Sequence, residues 1–160
     1  MAGRARLAND AWESLLTVHA VFMKGFAAQD IWDDVSMKEY DVLYSLSKSD
    51  EPVRLSDLHR RVLLSQPALS RLVDRLVARG LIERCDDPGD GRAVRVTLTD
   101  LGKQRQRDVG RAHARDVTAA MTASVDTGTL SDGDLEELER ICSSLLASAG
   151  FARTGSKEKS

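Results

Sequence analysis

Rings are scarce in this chain: aromatic residues make up 4% of its 160 positions, beside two cysteines and three prolines. A core with so few rings has to be assembled mainly from Leu, Val and Ala, and Ala and Leu favour helix. The cysteines, Cys85 and Cys142, stand far apart in no metal-ligand spacing. They read as small part-buried hydrophobes that stay reduced. No stretch approaches the roughly 18 apolar residues of a membrane span. The opening run MAGRARLANDAWESLL holds no apolar segment of signal-peptide type, because Asn9, Asp10 and Glu13 interrupt it. The expectation is a soluble, cytoplasmic protein with no membrane partner. A Gly-rich phosphate loop, a nucleophile motif and a His/carboxylate cluster at useful spacing are also missing, which argues against an enzyme. His19, His59 and His113 are scattered, so neither a metal nor another cofactor is expected.

Charge of one sign is lacking overall, since the formal net charge is −2. Its distribution is uneven. Residues 54–95 carry nine Arg against six Asp or Glu, a local +3, while residues 1–53 sum to −4 and residues 96–160 to −1. A basic middle between acidic ends suits a nucleic-acid-reading module on an acidic scaffold.

The hydrophobic periods predict mostly helix. Leu15, Val18, His19, Phe22 and Phe26 recur at helical spacing within 7–28. Ser36 to Glu39 reads as a capping box opening a helix through Ser47, with Tyr40, Leu43, Tyr44 and Leu46 as its apolar side. Pro52 excludes helix before it, so Val53 and Arg54 are expected to be extended. Ser56 is read as the cap of a short helix over 57–63 with Leu58 and Val62 inward. Ser65 is read as the cap of a second helix to Arg79, stopped by Gly80. Leu69, Leu72, Val73 and Leu76 form its inward stripe and leave Gln66, Ser70, Arg71, Asp74 and Arg75 outside. The period then changes to two: strands at 81–85 and 92–98 flank the turn cluster DDPGDG, a two-stranded hairpin. Thr99 caps a long helix over 100–125, Gly128 breaks it, and Ser131 caps a last helix. Leu135, Leu138, Ile141, Cys142, Leu145 and Leu146 give that helix an apolar face too wide for a lone terminal helix. Residues 151–160 read as a disordered tail.

Helix, link, helix and hairpin over 55–98 carry the functional argument. With only Leu64 read as the link, the two helices should cross steeply and the second should project. A helix fits the major groove of B-DNA, and outward Gln66, Ser70, Arg71 and Arg75 offer base-edge chemistry, Arg to guanine and Gln to adenine. Ser65 sets amides near the phosphates. Arg92 and Arg95 on the hairpin are placed to reach a minor groove or the backbone. Two of these arginines have competing readings. Arg75, like Arg79, suits a surface ion pair with Asp74 or Glu83, and Arg95 suits a plain solvated strand position.

The run SQPALSRLVDRLVARGLIERCDDPGDGRAVRVTLTDLGK resembles the MarR (multiple-antibiotic-resistance regulator) family of winged helix-turn-helix transcriptional regulators. The matching residues are Ser70 to Leu76, Arg79 to Ile82, and Asp90, Arg92, Leu98, Thr99 and Gly102 in the wing and the start of the next helix. The resemblance implies a mainly α, α+β fold: a winged helix-turn-helix with a two-stranded β wing and a helical dimerisation platform. It divides the chain into an N-terminal dimerisation helix and link (7–35), a winged DNA-binding region (36–99, wing about 81–98) and C-terminal dimerisation helices (100–148). It implies a homodimer on a pseudo-palindromic operator, with Arg92 in the minor groove and Asp90 holding the wing through an arginine.

Many relatives release DNA when a small phenolic or aromatic acid enters a cleft between platform and winged domain. Here Trp12, His19, Phe22, Met23, Met37 and Tyr40 are the candidate effector residues, with plain helical core as the competing reading for Phe22 and Met23. Peroxide-sensing relatives carry a reactive Cys in the first helix, whereas Cys85 follows it and adjoins Asp86 and Asp87, whose charges oppose a thiolate. The function expected is a sequence-specific double-stranded-DNA-binding regulator, a repressor released by an effector. The alternative is a winged helix used only for protein contacts.

Overall fold

The structure, a computed structural model, describes residues 2–150, side chains at 2, 91 and 92 excepted. The tail expected at 151–160 therefore lies outside the described residues. The chain divides into two compact units, Met1–Asp116 and Val117–Ser160.

The first unit opens with α1 (Ala2–Ala27), five residues longer at its start than the periodicity predicts. The expected capping box begins α2 (Met37–Ser47): the Ser36 hydroxyl accepts from the Glu39 amide at 3.3 Å, and Glu39 accepts from the Ser36 amide at 2.8 Å. Its inner face differs at two positions, since Val42 is fully buried and Tyr44 is exposed. After β1 (Val53–Arg54) comes α3 (Leu55–His59), capped at Arg54 without a side-chain bond rather than at Ser56. The helix thus starts two residues early and ends four early. The link to α4 (Gln66–Ala78) accordingly spans 60–65, not Leu64 alone. Leu58 and Val62 still point inward, and Leu69, Leu72, Val73 and Leu76 are at most 3% exposed. Gly80, at φ +69, ends α4 in the left-handed conformation that favours glycine.

The wing is larger than a hairpin. Strands β2 (Ile82–Asp87) and β3 (Asp90–Leu98) pair antiparallel, with a register shift at Asp86/Asp87. β1 adds a third strand, Val53 opposite Val96 and Arg54 opposite Arg95, in the order β1-β3-β2. An extended Val53-Arg54 satisfies backbone groups that β3 would otherwise leave open on its second edge. One core joins these elements. Leu43, Leu58, Leu69, Leu76, Ile82 and Val96 are among its fully buried members.

The start of α5 (Asp100–Asp126) is pinned to the end of α4. Thr99 donates its hydroxyl to the Gly80 carbonyl at 2.6 Å and accepts the Gly102 amide at 3.0 Å, while its own amide reaches the Leu81 carbonyl at 3.2 Å. The second unit holds the rest of α5, a turn with Gly128 at φ +72, and α6 (Asp132–Ser148). Ser131 caps α6 as expected, in a capping box closed by Asp134. Leu138, Ile141, Leu145 and Leu146 of α6 are each more than 40% exposed within the chain.

Candidate nucleic-acid interface

The polar face of α4 is the site that the core leaves over. With its apolar stripe buried, Gln66 and Arg71 are exposed and Ser70 is half-buried. Ser65 occupies the N-cap position with extended backbone and is exposed, but its side chain makes no capping bond. That is a correction to the expected hydroxyl cap. Pro67 in the first turn lowers the number of amides in need of one.

The arginines of α4 separate by partner. Arg75 lies 3.6 Å from Glu39 of α2, and Arg79 reaches both Glu39 at 3.4 Å and Asp34 at 3.0 Å. Neither pairs with Asp74 or Glu83 as the sequence suggested; Asp74 is bound by Arg84 instead. Glu39, only 7% exposed, closes the α2 capping box and also receives these two guanidinium groups. It thereby fastens the second half of α4 to the start of α2. Arg71 is the arginine of this helix that faces outward with no such tie among the described residues.

The wing is organised by a carboxylate that the sequence reading passed over. Asp87, whose side chain is 1% exposed, accepts from Arg54 Nε at 2.6 Å, Arg95 Nε at 2.8 Å and the Gly89 amide at 2.9 Å. Its three elements are thus clipped together at the base of the wing turn. Arg95 also donates to the Pro52 carbonyl at 3.1 Å, so its guanidinium serves the sheet's own interior. Asp90 contributes to the field at Arg54. The Arg92 side chain lies outside the described residues. The only sequence signal for the Asp87 clip was an acidic residue in a turn cluster, and its two partners lie 33 and 8 positions away.

Hydrogen bonding from Arg54, then from the Gly89 amide and Arg95, holds the Asp87 carboxyl well below the ordinary value of 3.8. A depressed carboxyl contributes its stability above the unfolded value and loses it as pH falls through the folded one. Asp87→Ala is therefore expected to lower Tm by on the order of 5 °C at neutral pH. The gap from the native protein should hold down to about pH 5 and close in stronger acid. Thermal denaturation across pH checks this; a gap that widens in acid contradicts the clip.

The effector candidates are not gathered in one place. Trp12 and His19 are exposed on α1, Phe22, Met23 and Met37 are half-buried, and Tyr40 is 6% exposed. Tyr40 instead joins a ring cluster with Trp32 at 5.8 Å and His113 at 5.5 Å, and Phe26 meets His113 edge-on at 5.2 Å. Phe22 meets the Phe26 ring of this cluster at 5.9 Å. Trp32 and His113 were missed as partners. His113 follows Val109 at i+4 on the inner side of α5, a period that was available to be read. Burial lowers the His113 pKa, against the opposing fields of Asp41 and Asp116.

Similarity to known proteins agrees with this geometry. The sequence model of the MarR family matches residues 33–93, from the start of the α1–α2 link's final turn to the wing. Among curated proteins, the multiple antibiotic resistance protein MarR of Escherichia coli is 31% identical over 94 residues, 56% of this chain and 65% of that one. The chain spans less than two thirds of the length of the curated relatives it matches. Among solved structures, AbsC of Streptomyces coelicolor, a MarR family transcriptional regulator, superposes with TM-score 0.74 at 25% identity, covering 88% of this chain and 93% of that one. Sco3205 of Streptomyces coelicolor, solved in complex with DNA, has the same fold, with TM-score 0.71 at 22% identity over 91% and 92% of the two chains.

Helix, link, projecting helix and three-stranded wing define a winged helix-turn-helix protein. Over residues 33–93 the chain is similar to the MarR family, a family of transcriptional regulators. No helix among the described residues is long and apolar enough to cross a membrane.

Proposed function

We propose that this protein is a DNA-binding transcriptional regulator that reads a pseudo-palindromic operator as a homodimer. The observation that carries the reading is the division of α4: its apolar stripe is sealed in the core while Gln66 and Arg71 stand exposed beside a clipped wing. Those side chains have the geometry and chemistry for base edges in the major groove, with Ser65 and Ser70 toward the phosphates. Arg92 extends the contact into the minor groove. Arg75 and Arg95, tied to Glu39 and Asp87, act chiefly by holding helix and wing in place.

Dimerisation is supported by exposed apolar side chains on two separate helices. Leu7, Trp12, Leu16, Val18 and Val21 of α1 and Leu138 and Leu145 of α6 all exceed 40% exposure. Repression relieved by a small aromatic acid completes the reading, with Met37 and the cluster around Tyr40 as the nearest candidate contacts.

Footprinting on the intergenic DNA beside the protein's own gene tests this. Two protected blocks roughly 34 Å apart, centre to centre, are expected. Absence of any protection, together with weak and salt-insensitive heparin retention, would instead favour a winged helix used for protein contacts.

A further inference from the structure

A cavity of about 340 Å³ lies within the first unit, away from the polar face of α4. Leu46, Ser47, Ser49 and Asp50, at and after the end of α2, form one side. Thr97 and Leu98 close β3 at its floor, and Lys103, Gln106 and Arg107 of α5 form the other side. None of the effector candidates read from the sequence lines it.

The two sides differ in chemistry. Lys103 and Arg107, one helical turn apart, present cations, while the Gln106 carboxamide is engaged with the Tyr40 hydroxyl. The ion pair of Lys103 with Asp100 is 3.6 Å long between exposed groups, so it competes weakly with an incoming anion. Across the cavity the Ser47 hydroxyl already donates to the Tyr44 carbonyl at 2.9 Å, and the Ser49 hydroxyl to the Glu51 carbonyl at 2.8 Å. Their protons are engaged, which leaves lone pairs to accept. Leu46 and Leu98 supply a short apolar floor.

We infer that this cavity is a ligand site for a small carboxylate bearing a hydrogen-bond donor, hydroxyl or ammonium, at its far end. Lys103 and Arg107 take the carboxylate, Ser47 and Ser49 accept from the donor, and a body of a few carbons rests on Leu46 and Leu98. The volume suits a compact metabolite, at the lower end of small-molecule pockets. Occupancy would bridge α5 to the end of β3, the strand that leads from the wing turn.

Backbone amide NMR titration of the DNA-free protein tests the site independently of operator binding. The probes are 3-hydroxybutyrate, γ-aminobutyrate, butyrate and neutral 3-hydroxybutyramide, each to about 10 mM, well above a millimolar dissociation constant. The first or the second should shift Ser47, Thr97 and Gln106 saturably, and which of them does so identifies the donor. Butyrate should bind at least tenfold more weakly and the amide not at all. The double variant Lys103→Gln, Arg107→Gln should lose the response while keeping the native spectrum elsewhere. No saturable shift with either donor-bearing acid, or an unchanged response in the double variant, overturns the assignment.

Discussion

Replacing Gly102 by alanine is expected to lower Tm by on the order of 10 °C or to prevent folding. A Cβ at that position would stand 1.9 Å from the Leu81 carbonyl oxygen and 2.9 Å from its carbon. Both are backbone atoms, so no side chain can swing aside. Relief requires α5 to lift from the turn after α4, which breaks the bond from the Thr99 amide to Leu81 and strains the Thr99 hydroxyl contact with Gly80. Those contacts hold the wing strands between two helices, so a variant that does fold should bind DNA poorly. Gly25→Ala, in α1 with nothing within 4 Å of the added methyl, is the control and should retain native stability. Equal thermal stability of the two variants would contradict the close approach at Gly102.

The second large effect concerns recognition rather than folding. Arg71→Ala should weaken operator binding by about ten- to a hundredfold, the cost of a lost bidentate contact to a base. Its Tm should stay within roughly 1 °C of the native value, because an exposed side chain without an internal partner contributes little to the fold. Arg75→Ala, by contrast, should cost less in affinity and more in stability, since it removes a partner of the nearly buried Glu39. Fluorescence anisotropy on the footprinted duplex, paired with thermal denaturation, separates the two. A larger loss at Arg75 than at Arg71 would mean that the helix presents a different face to DNA.

What the sequence revealed and what it hid follow from range. The stripe Leu69, Leu72, Val73 and Leu76, the capping box at Ser36 and the cap at Ser131 depend on residues within two helical turns, and all are found where the pattern put them. The start of α3 was misplaced because Ser56 looks like a cap locally, while the pairing of Val53 and Arg54 with β3 sets the chain's direction two residues earlier. The third strand itself was half legible, as an extended Val53-Arg54 with no visible mate. Asp87 was hidden for the same reason: its partners come from β1 and β3, and nothing local marks one aspartate of a DDPGDG turn as buried. The Leu-Thr-x-x-Gly pattern, matched only by resemblance, has a physical content in the structure. Thr99 ties α5 to Gly80, and Gly102 allows the Leu81 carbonyl to sit against the helix.

The central claim is that the exposed face of α4, carried beside the wing, reads DNA sequence. Its most direct measurement is the affinity for the footprinted duplex against a scrambled duplex of the same composition, followed over increasing salt. The account predicts at least a thousandfold preference for the footprinted duplex. It also predicts a log–log salt slope steeper than about −3, as several phosphates are neutralised. Equal affinity for the two duplexes, or a flat salt dependence, would contradict it.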